Sequence, residues 1–156
     1  MNQPIKIMAA VDLSEYSPTI VRYSAALAKK LNAELILVNV INQRDLDMIA
    51  RTMAGYEIFS FPNYLTEQVE DRQTKMKDLF ETASTESVAC RYLVQPGIPY
   101  RELLTVIDSE RPQLMVVGSK GRGNLADVVV GSTARKMVRR SPIPVLSIPA
   151  GFTEQI

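Results

Sequence analysis

Three glycines and two hydroxyl residues in the last third of the sequence have a spacing that suits phosphate binding. Nine residues separate Gly121 from Gly131, Gly118 lies three residues before Gly121, and Ser132 and Thr133 follow Gly131 directly. Glycines let backbone N–H groups approach phosphate oxygens, and a helix N-terminus adds unpaired donors and a positive dipole end. The alternative is an ordinary turn before a helix cap, where Ser and Thr are common. On this segment alone, both interpretations stay open.

Two better-known nucleotide motifs do not fit this segment. Gly118 and Gly123 have the spacing of a Walker motif, but Asn124 and Leu125 replace its lysine and hydroxyl residue. Residues 121–126 match the G-x-G-x-x-[GA] dinucleotide pattern, but they follow the fourth predicted strand, and no acidic residue about 20 positions later could bind a ribose. We therefore reject a P-loop and do not favour a Rossmann dinucleotide site.

Six basic residues lie within or just after the same segment. Lys120 and Arg122 are close enough along the chain to be phosphate neighbours, although exposure to solvent explains each of them slightly better. Four further cations lie in the predicted last helix, whose rise of about 1.5 Å per residue carries them away from the loop. We expect these four to complement the negative end of the helix; they are Arg135, Lys136, Arg139 and Arg140.

Asp12 is the candidate polar residue at the end of the first predicted strand. A carboxylate there could hold Mg²⁺ through water or accept a hydrogen bond from a ribose hydroxyl. The alternative is that Asp12 is the N-cap of the following helix. Ser14 could likewise be a ligand-binding residue or an N-cap, and for Ser14 we favour the N-cap. The Gly97-Ile98-Pro99 sequence predicts a tight turn into a helix, for which ordinary turn chemistry is sufficient.

The elements that must position these residues follow from hydrophobic periodicity. Apolar runs predict strands at 5–11, 34–41, 88–95, 114–118 and 143–148. Helical spacing predicts helices at 16–31, 64–84, 99–109 and 132–140. Strands that alternate with helices indicate an α/β fold with an open, doubly wound, five-stranded parallel sheet, strand order 3-2-1-4-5 and helices on both faces. Ligands bind such sheets beyond the carboxyl ends of the strands.

The segment at residues 42–64 interrupts this alternation. Residues 45–53 have a helical pattern, but glycine, aromatic residues and proline break it before the next helix. We therefore expect a partly ordered excursion whose apolar side chains form a lid, a partner surface or part of the core, with core packing favoured. Those side chains are Met48, Ile49, Met53, Tyr56, Ile58, Phe59 and Phe61.

Composition limits the class of protein. The 156 residues are 46% hydrophobic and 22% charged, which fits a single globular domain over residues 1–156. Eighteen basic and seventeen acidic residues give a net charge of +1, so no broad field attracts nucleic acid or an anionic membrane. Because no apolar run approaches the roughly 18 residues of a membrane helix and no signal segment is evident, we expect a cytoplasmic protein.

Two residue types further narrow the chemistry. The chain has no histidine, which removes the commonest acid–base group, the usual activator of a serine nucleophile and a common metal ligand. Any reaction would therefore depend on Asp, Lys or bound Mg²⁺. The single cysteine, Cys90, lies in an apolar run and cannot form an intrachain disulfide, so we expect a buried structural thiol.

Taken in order along the chain, four features resemble the universal stress protein family over nearly the whole length. They are Val11-Asp12-Leu13-Ser14, Gly97-Ile98-Pro99, the G-x-x-G-x9-G-[ST] pattern formed by Gly118, Gly121, Gly131 and Ser132, and the terminal run at residues 141–146. The glycine pattern is the specific feature, and the other three are weak individually. Family members that keep the complete pattern generally bind ATP.

The resemblance implies an adenine nucleotide alpha hydrolase-like fold with an ATP site. Asp12 would lie near the ribose and phosphates, with Mg²⁺ bound to it through water, and Val38 near the adenine. Val11 and Val117 would line the same cleft. The implied phosphate neighbours are Gly118, Gly121, Gly131, Ser132 and Thr133.

The resemblance also implies a homodimer. The fifth strand, from Ile143 to Ile148, would pair antiparallel with its twin across a two-fold axis, with Pro144 and Pro149 at its borders. This pairing would use an edge strand that is otherwise exposed.

Three functions compete on this basis. The leading one is an ATP-binding, stress-response regulatory protein that acts as a nucleotide-dependent dimeric switch on an unknown protein partner. The second is a slow ATPase or self-phosphorylating enzyme, for which no catalytic residue is assigned. The third is a nucleotide-independent interaction module. A flavoprotein or an adenylate-forming enzyme rests on fold analogy alone, which is weak evidence for function.

Overall fold

A computed structural model describes residues 3–120 and 130–153. Its strands are β1 (Lys6–Ala10), β2 (Glu34–Asn42), β3 (Cys90–Gly97), β4 (Leu114–Gly118) and β5 (Val145–Ile148). Its helices are α1 (Ser17–Leu31), α2 (Gln43–Met53), α3 (Phe61–Ala83), α4 (Pro99–Glu110) and α5 (Ser132–Arg140). The strands form one sheet in the order β3-β2-β1-β4-β5, and every neighbouring pair is parallel. The predicted fold class is confirmed.

Helices cover both faces of the sheet, which explains why the strands are almost continuously apolar. On one face, Ile7 and Ala9 pack in a core that includes Val21 of α1 and Met76 of α3. On the other face, Met8 packs in a second core formed with α4 and α5. Residues alternate between the two cores along β1 because successive side chains of a strand point to opposite faces.

Several boundaries differ from the predicted ones by one to three residues; β3, for example, spans Cys90–Gly97 rather than 88–95. Two of the differences have clear local reasons. Helix α3 begins at Phe61 rather than at residue 64, since Ser60 Oγ accepts a hydrogen bond from the Asn63 N–H at 3.4 Å and Pro62 is tolerated in the first turn. Strand β5 begins at Val145 rather than at 143, because the Ser141 hydroxyl donates to the Ile143 carbonyl at 2.7 Å and holds that stretch as a turn.

The segment between β2 and α3 contains a complete helix, and the expectation that its apolar residues mainly pack in the core is wrong. The Asn42 side chain caps α2 by accepting a hydrogen bond from the Arg44 N–H at 3.0 Å. Only Leu46 is buried, whereas Met48 is 58% and Ile58 100% exposed. Helix α2 starts immediately after β2 ends, so it extends beyond the sheet and has little apolar surface to pack against.

Within residues 3–120 and 130–153, no helix is both long and apolar enough to cross a membrane.

Cys90 begins β3 and is half-buried. Burial raises the pKa of its thiol to about 11, the carboxylate of Glu34 acts in the same direction, and a hydrogen bond with Tyr92 partly opposes them. A thiol is nucleophilic only as the thiolate. Cys90 packs against the core, as a structural thiol would, but it is half-buried rather than buried as expected.

We predict that iodoacetamide modifies Cys90 in the folded protein at pH 8 at least about tenfold more slowly than in urea, where the thiol pKa returns to about 8.5. Because the folded pKa lies above pH 8, the rate should rise as the pH is increased toward 11. Mass spectrometry of timed samples gives both rates. Equal rates in buffer and in urea would contradict the effect of burial.

Candidate ligand-binding cleft

A cleft of about 290 Å³ opens at the carboxyl ends of β1, β2 and β4. It lies where the strand order changes direction, since the chain proceeds outward from β1 to β2 and β3 and then returns to place β4 beside β1. The structure brings together eight residues that the sequence singled out: Val11, Asp12, Val38, Val117, Gly118, Gly131, Ser132 and Thr133. The ninth, Gly121, lies outside the described residues.

Asp12 occupies a tightly held turn between β1 and α1. Its Oδ1 atom accepts hydrogen bonds from the Ser14 N–H and from the Ser17 hydroxyl, both at 3.0 Å. The intervening Leu13 has a φ of 60°, a left-handed conformation that costs a non-glycine residue about 1–3 kcal/mol. Asp12 thus stabilises the turn ahead of α1, whose N-cap position is occupied by Tyr16 without a side-chain cap.

Ser14 contributes to the same turn. Its hydroxyl accepts a hydrogen bond from the Tyr16 N–H at 3.3 Å, and its carbonyl accepts one from the Ser17 N–H at 3.1 Å. These bonds fit the interpretation that Ser14 stabilises the turn at the start of α1.

A buried asparagine fixes the backbone immediately before Asp12. Asn39 is 1% exposed, and its Nδ2 atom donates to the Val11 carbonyl at 2.7 Å. Its Oδ1 atom accepts a hydrogen bond from Arg72 Nη1 of α3 at 2.9 Å. The Val11 N–H donates to the Val38 carbonyl at 2.8 Å, so β2 holds both backbone groups of Val11.

Asn39 and Arg72 line the cleft but were not singled out in the sequence. For Asn39 a signal existed, because it is the one polar residue within the apolar run at 35–41, and a buried polar residue usually has a specific partner. Arg72 gave no such signal among the many charges of its helix. Arg44 and Asp45, at the start of α2, extend the polar rim.

The N-terminus of α5 forms the opposite end of the cleft. Gly131 is the N-cap residue, and its N–H donates to the Ser119 carbonyl at 2.6 Å. Because glycine has no side chain, no capping oxygen of its own competes for the first-turn N–H groups, which include those of Ser132 and Thr133. Lys120 adds a cation to this end.

The inner wall between these ends is apolar. Val11, Val38 and Val117 are each at most 2% exposed. A Cβ atom at Gly118 would lie 2.6 Å from Ile20 Cδ1 and 3.1 Å from the Lys120 carbonyl oxygen, so a larger residue would displace the Ile20 side chain. The cleft therefore combines an apolar wall with anion-binding groups at the α5 end, and this arrangement suits a ligand with a flat apolar part and a phosphate part.

The Gly97-Ile98-Pro99 sequence forms the expected turn into α4. Gly97 has a φ of 148°, and a Cβ atom there would approach Glu102 Oε1 to 2.5 Å. Pro99 stands at the start of the helix and also lines the cleft. Turn chemistry thus accounts for this motif, although the turn borders the candidate site.

The described residues contain no group of three or more acidic, histidine or cysteine side chains that could hold a metal ion by themselves. The Mg²⁺ expectation therefore rests on Asp12 as a single carboxylate.

Known proteins resemble this chain over nearly its whole length. The model of the universal stress protein family matches residues 5–149. The universal stress protein MJ0577 of Methanocaldococcus jannaschii is 24% identical over 151 residues, covering 92% of this chain and 93% of its own length.

Solved structures share the fold. The structure of MJ0577 has a TM-score of 0.75 at 23% identity and covers 96% of this chain and 98% of its own. A universal stress protein in complex with cAMP has a TM-score of 0.63 at 20% identity, covering 95% and 98%. The Archaeoglobus fulgidus universal stress protein in complex with dAMP has a TM-score of 0.58 at 15% identity, covering 95% and 99%. At these identities the likeness to the solved structures is one of fold.

We predict that Asn39→Leu lowers the free energy of unfolding by about 1–3 kcal/mol, because it removes the donor to the Val11 carbonyl and the acceptor of Arg72 Nη1. The midpoint of urea unfolding, with the slope held equal, measures the change. Asn63→Leu at an exposed position of α3 is the matched control and should stay within about 0.5 kcal/mol of the parent chain. If both variants have the same midpoint, the buried link does not stabilise the cleft.

Proposed function

Because this chain belongs to the universal stress protein family, we propose that it binds ATP in the cleft at the carboxyl ends of β1, β2 and β4. The observation that carries the proposal is the convergence of four groups from distant parts of the sequence. Asp12 follows β1, Gly118 ends β4 and Lys120 follows it, and Gly131 leads into α5, yet all of them line one cleft.

The residues present fit the parts of ATP. The N-terminus of α5, with Ser132 and Thr133, offers N–H and hydroxyl donors to phosphates, and Lys120 offers charge. The apolar wall formed by Val11, Val38 and Val117 offers a surface for the adenine, with Val38 nearest to it by the family resemblance. The volume of about 290 Å³ lies at the lower end of the usual range for ligand pockets, about 300–1,000 Å³.

Asp12 would face the ribose and phosphates. Mg²⁺ usually keeps several waters and binds through one or two carboxylates together with substrate phosphates. One carboxylate is therefore sufficient for a metal that arrives with the nucleotide, which fits the single aspartate at this end of β1. Bound Mg²⁺ would offset the charge of the phosphates beside Asp12.

The ligands of related structures support an adenine nucleotide. The universal stress proteins solved with cAMP and with dAMP share this fold and hold an adenine nucleotide each. The choice of ATP rests on the glycine pattern, which this sequence keeps in full and which is typical of the ATP-binding members of the family.

We further propose that the nucleotide acts as a switch in a homodimer of this chain that regulates a protein partner in the stress response. Strand β5 is the last strand of the sheet and pairs with β4 on one side. Its other side would pair antiparallel with the β5 strand of a second copy. Pro144 and Pro149 flank β5, and neither has an N–H group with which to extend the pairing.

Mg-ATP at about 100 times its dissociation constant should stabilise the protein by about 2.7 kcal/mol, which corresponds to a rise in thermal midpoint of about 5–10 °C. Differential scanning fluorimetry with Mg-ATP, Mg-ADP, AMP and buffer alone measures the rise. In Gly131→Val the rise should disappear, because the added side chain occupies a buried position that lines the cleft.

Gly55→Val is the matched control. A Cβ atom at Gly55 would meet no atom within 4 Å, and this residue lies outside the cleft. This variant should keep the full response to Mg-ATP. No rise with any nucleotide at millimolar concentration would contradict the proposal and favour a nucleotide-independent interaction module.

A further inference from the structure

Three cationic side chains surround one aromatic ring on the outer surface of α4 and α5. The ring centroid of Tyr100 lies 4.6 Å from Lys136 Nζ, 4.9 Å from Arg140 Cζ and 5.7 Å from Arg101 Cζ. We call these four residues the Tyr100 cluster. The sequence-based expectation for Lys136 and Arg140 was a simple interaction with the end of α5, whereas the structure places both against the ring of a neighbouring helix.

The cluster has a strongly positive local field. Arg101 Nε donates a hydrogen bond to Tyr100 Oη at 3.0 Å. That bond, together with the charges of Arg101, Arg140 and Lys136, lowers the pKa of the Tyr100 phenol against the opposing effect of burial. Cation–π attraction holds the side chains near the ring, but the three like charges still repel one another.

Within the part of the chain that the structure describes, no carboxylate forms an ion pair with Arg101, Lys136 or Arg140. The ion pairs found there involve Lys6, Lys75 and Arg91. Arg91 is the instructive contrast, because Glu34 and Glu110 both contact its guanidinium. The three cations of the Tyr100 cluster share a phenol ring instead.

The cluster is accessible and locally concentrated. Arg101, Lys136 and Arg140 are exposed, and the exposed Arg139 lies beside them on α5. The chain as a whole carries a net charge of only +1, so positive charge is much denser on this surface than on average. Bound anionic groups would relieve the repulsion among its cations, and guanidinium groups match carboxylates in geometry.

We propose that the Tyr100 cluster is a docking site for an acidic segment of a partner protein. The carboxylates of the acidic segment would bind Arg101, Lys136 and Arg140, and the ring of Tyr100 would keep these three cations in place. Electrostatic complementarity of this kind mainly raises the association rate and the specificity.

A protein segment fits this surface better than a nucleic acid does. Proteins that bind single strands stack bases on aromatic faces and follow the phosphates along an extended basic groove. The Tyr100 ring instead has cations over it, so its faces are not open to a stacked base. A short acidic peptide needs only the compact group of cations.

The docking surface is separate from the proposed nucleotide site. Pro99 and Leu103 of α4 line the cleft, but Tyr100, Lys136 and Arg140 do not. Substitutions in the cluster therefore leave the cleft-lining side chains unchanged. Docking of an acidic segment does not depend on whether the cleft binds ATP, so each proposal can fail without the other.

The test is fluorescence anisotropy with a labelled peptide of eight glutamates. The parent chain should bind it with an affinity that falls as salt increases. The double variant Lys136→Ala/Arg140→Ala should bind at least about tenfold more weakly, a loss of about 1.4 kcal/mol. The matched control Lys30→Ala/Lys77→Ala removes the same charge from exposed positions of α1 and α3 and should bind within about twofold of the parent chain.

Two further arms keep the test decisive. Arg101→Ala changes one exposed side chain of α4 and should also weaken binding, which covers the case in which the double variant does not fold. Circular dichroism checks folding of every variant. Equal affinity of the parent chain and the folded cluster variants would overturn the proposal. Tighter, cluster-dependent binding of a labelled eight-nucleotide single strand would also overturn it, in favour of a nucleic-acid surface.

Discussion

Strands β1 and β4 lie side by side in the middle of the sheet, and the remaining features of the site depend on that adjacency. Ile7 pairs with Leu114 and Ala9 with Val116, so both strands end at the same edge. The crossovers leave this edge in opposite directions and open a cleft between the β1 turn and the N-terminus of α5. A fold that separated β1 from β4 would place Asp12 and Gly131 in different parts of the surface.

Side-chain hydrogen bonds, in addition to apolar packing, fix the backbone that forms the cleft. The strained backbone at Leu13 persists because Asp12 accepts bonds from Ser14 and Ser17 on one side. On the other side, the Asn39 amide holds the Val11 carbonyl and accepts a bond from Arg72. Such preorganisation favours ligand binding, since the donors and acceptors need not be ordered when the ligand arrives. The Arg72 bond also connects α3, through the Asn39 side chain, to the Val11 backbone of the site.

Much of this architecture could be predicted from the sequence, because continuous apolar runs and helical spacing are local signals. The strand order and the cleft neighbourhood of Asp12 and Gly131 follow from topology once the elements are known. Contacts between distant side chains are not encoded locally, so the Arg72–Asn39 bond and the cations around Tyr100 were missed. Ile58 was misjudged because hydrophobicity indicates burial only where a surface is available to cover the side chain.

A titration of the ¹⁵N-labelled protein with Mg-ATP, followed by amide chemical shifts, would show whether a nucleotide binds where β1 and β4 meet. We expect the largest changes at Asp12, Ser132 and Thr133, at the carboxyl edge of the sheet. Amides at the opposite edge, such as that of Lys6, should change little. Saturation without changes at the carboxyl edge, or no changes at millimolar Mg-ATP, would contradict a nucleotide site in this cleft.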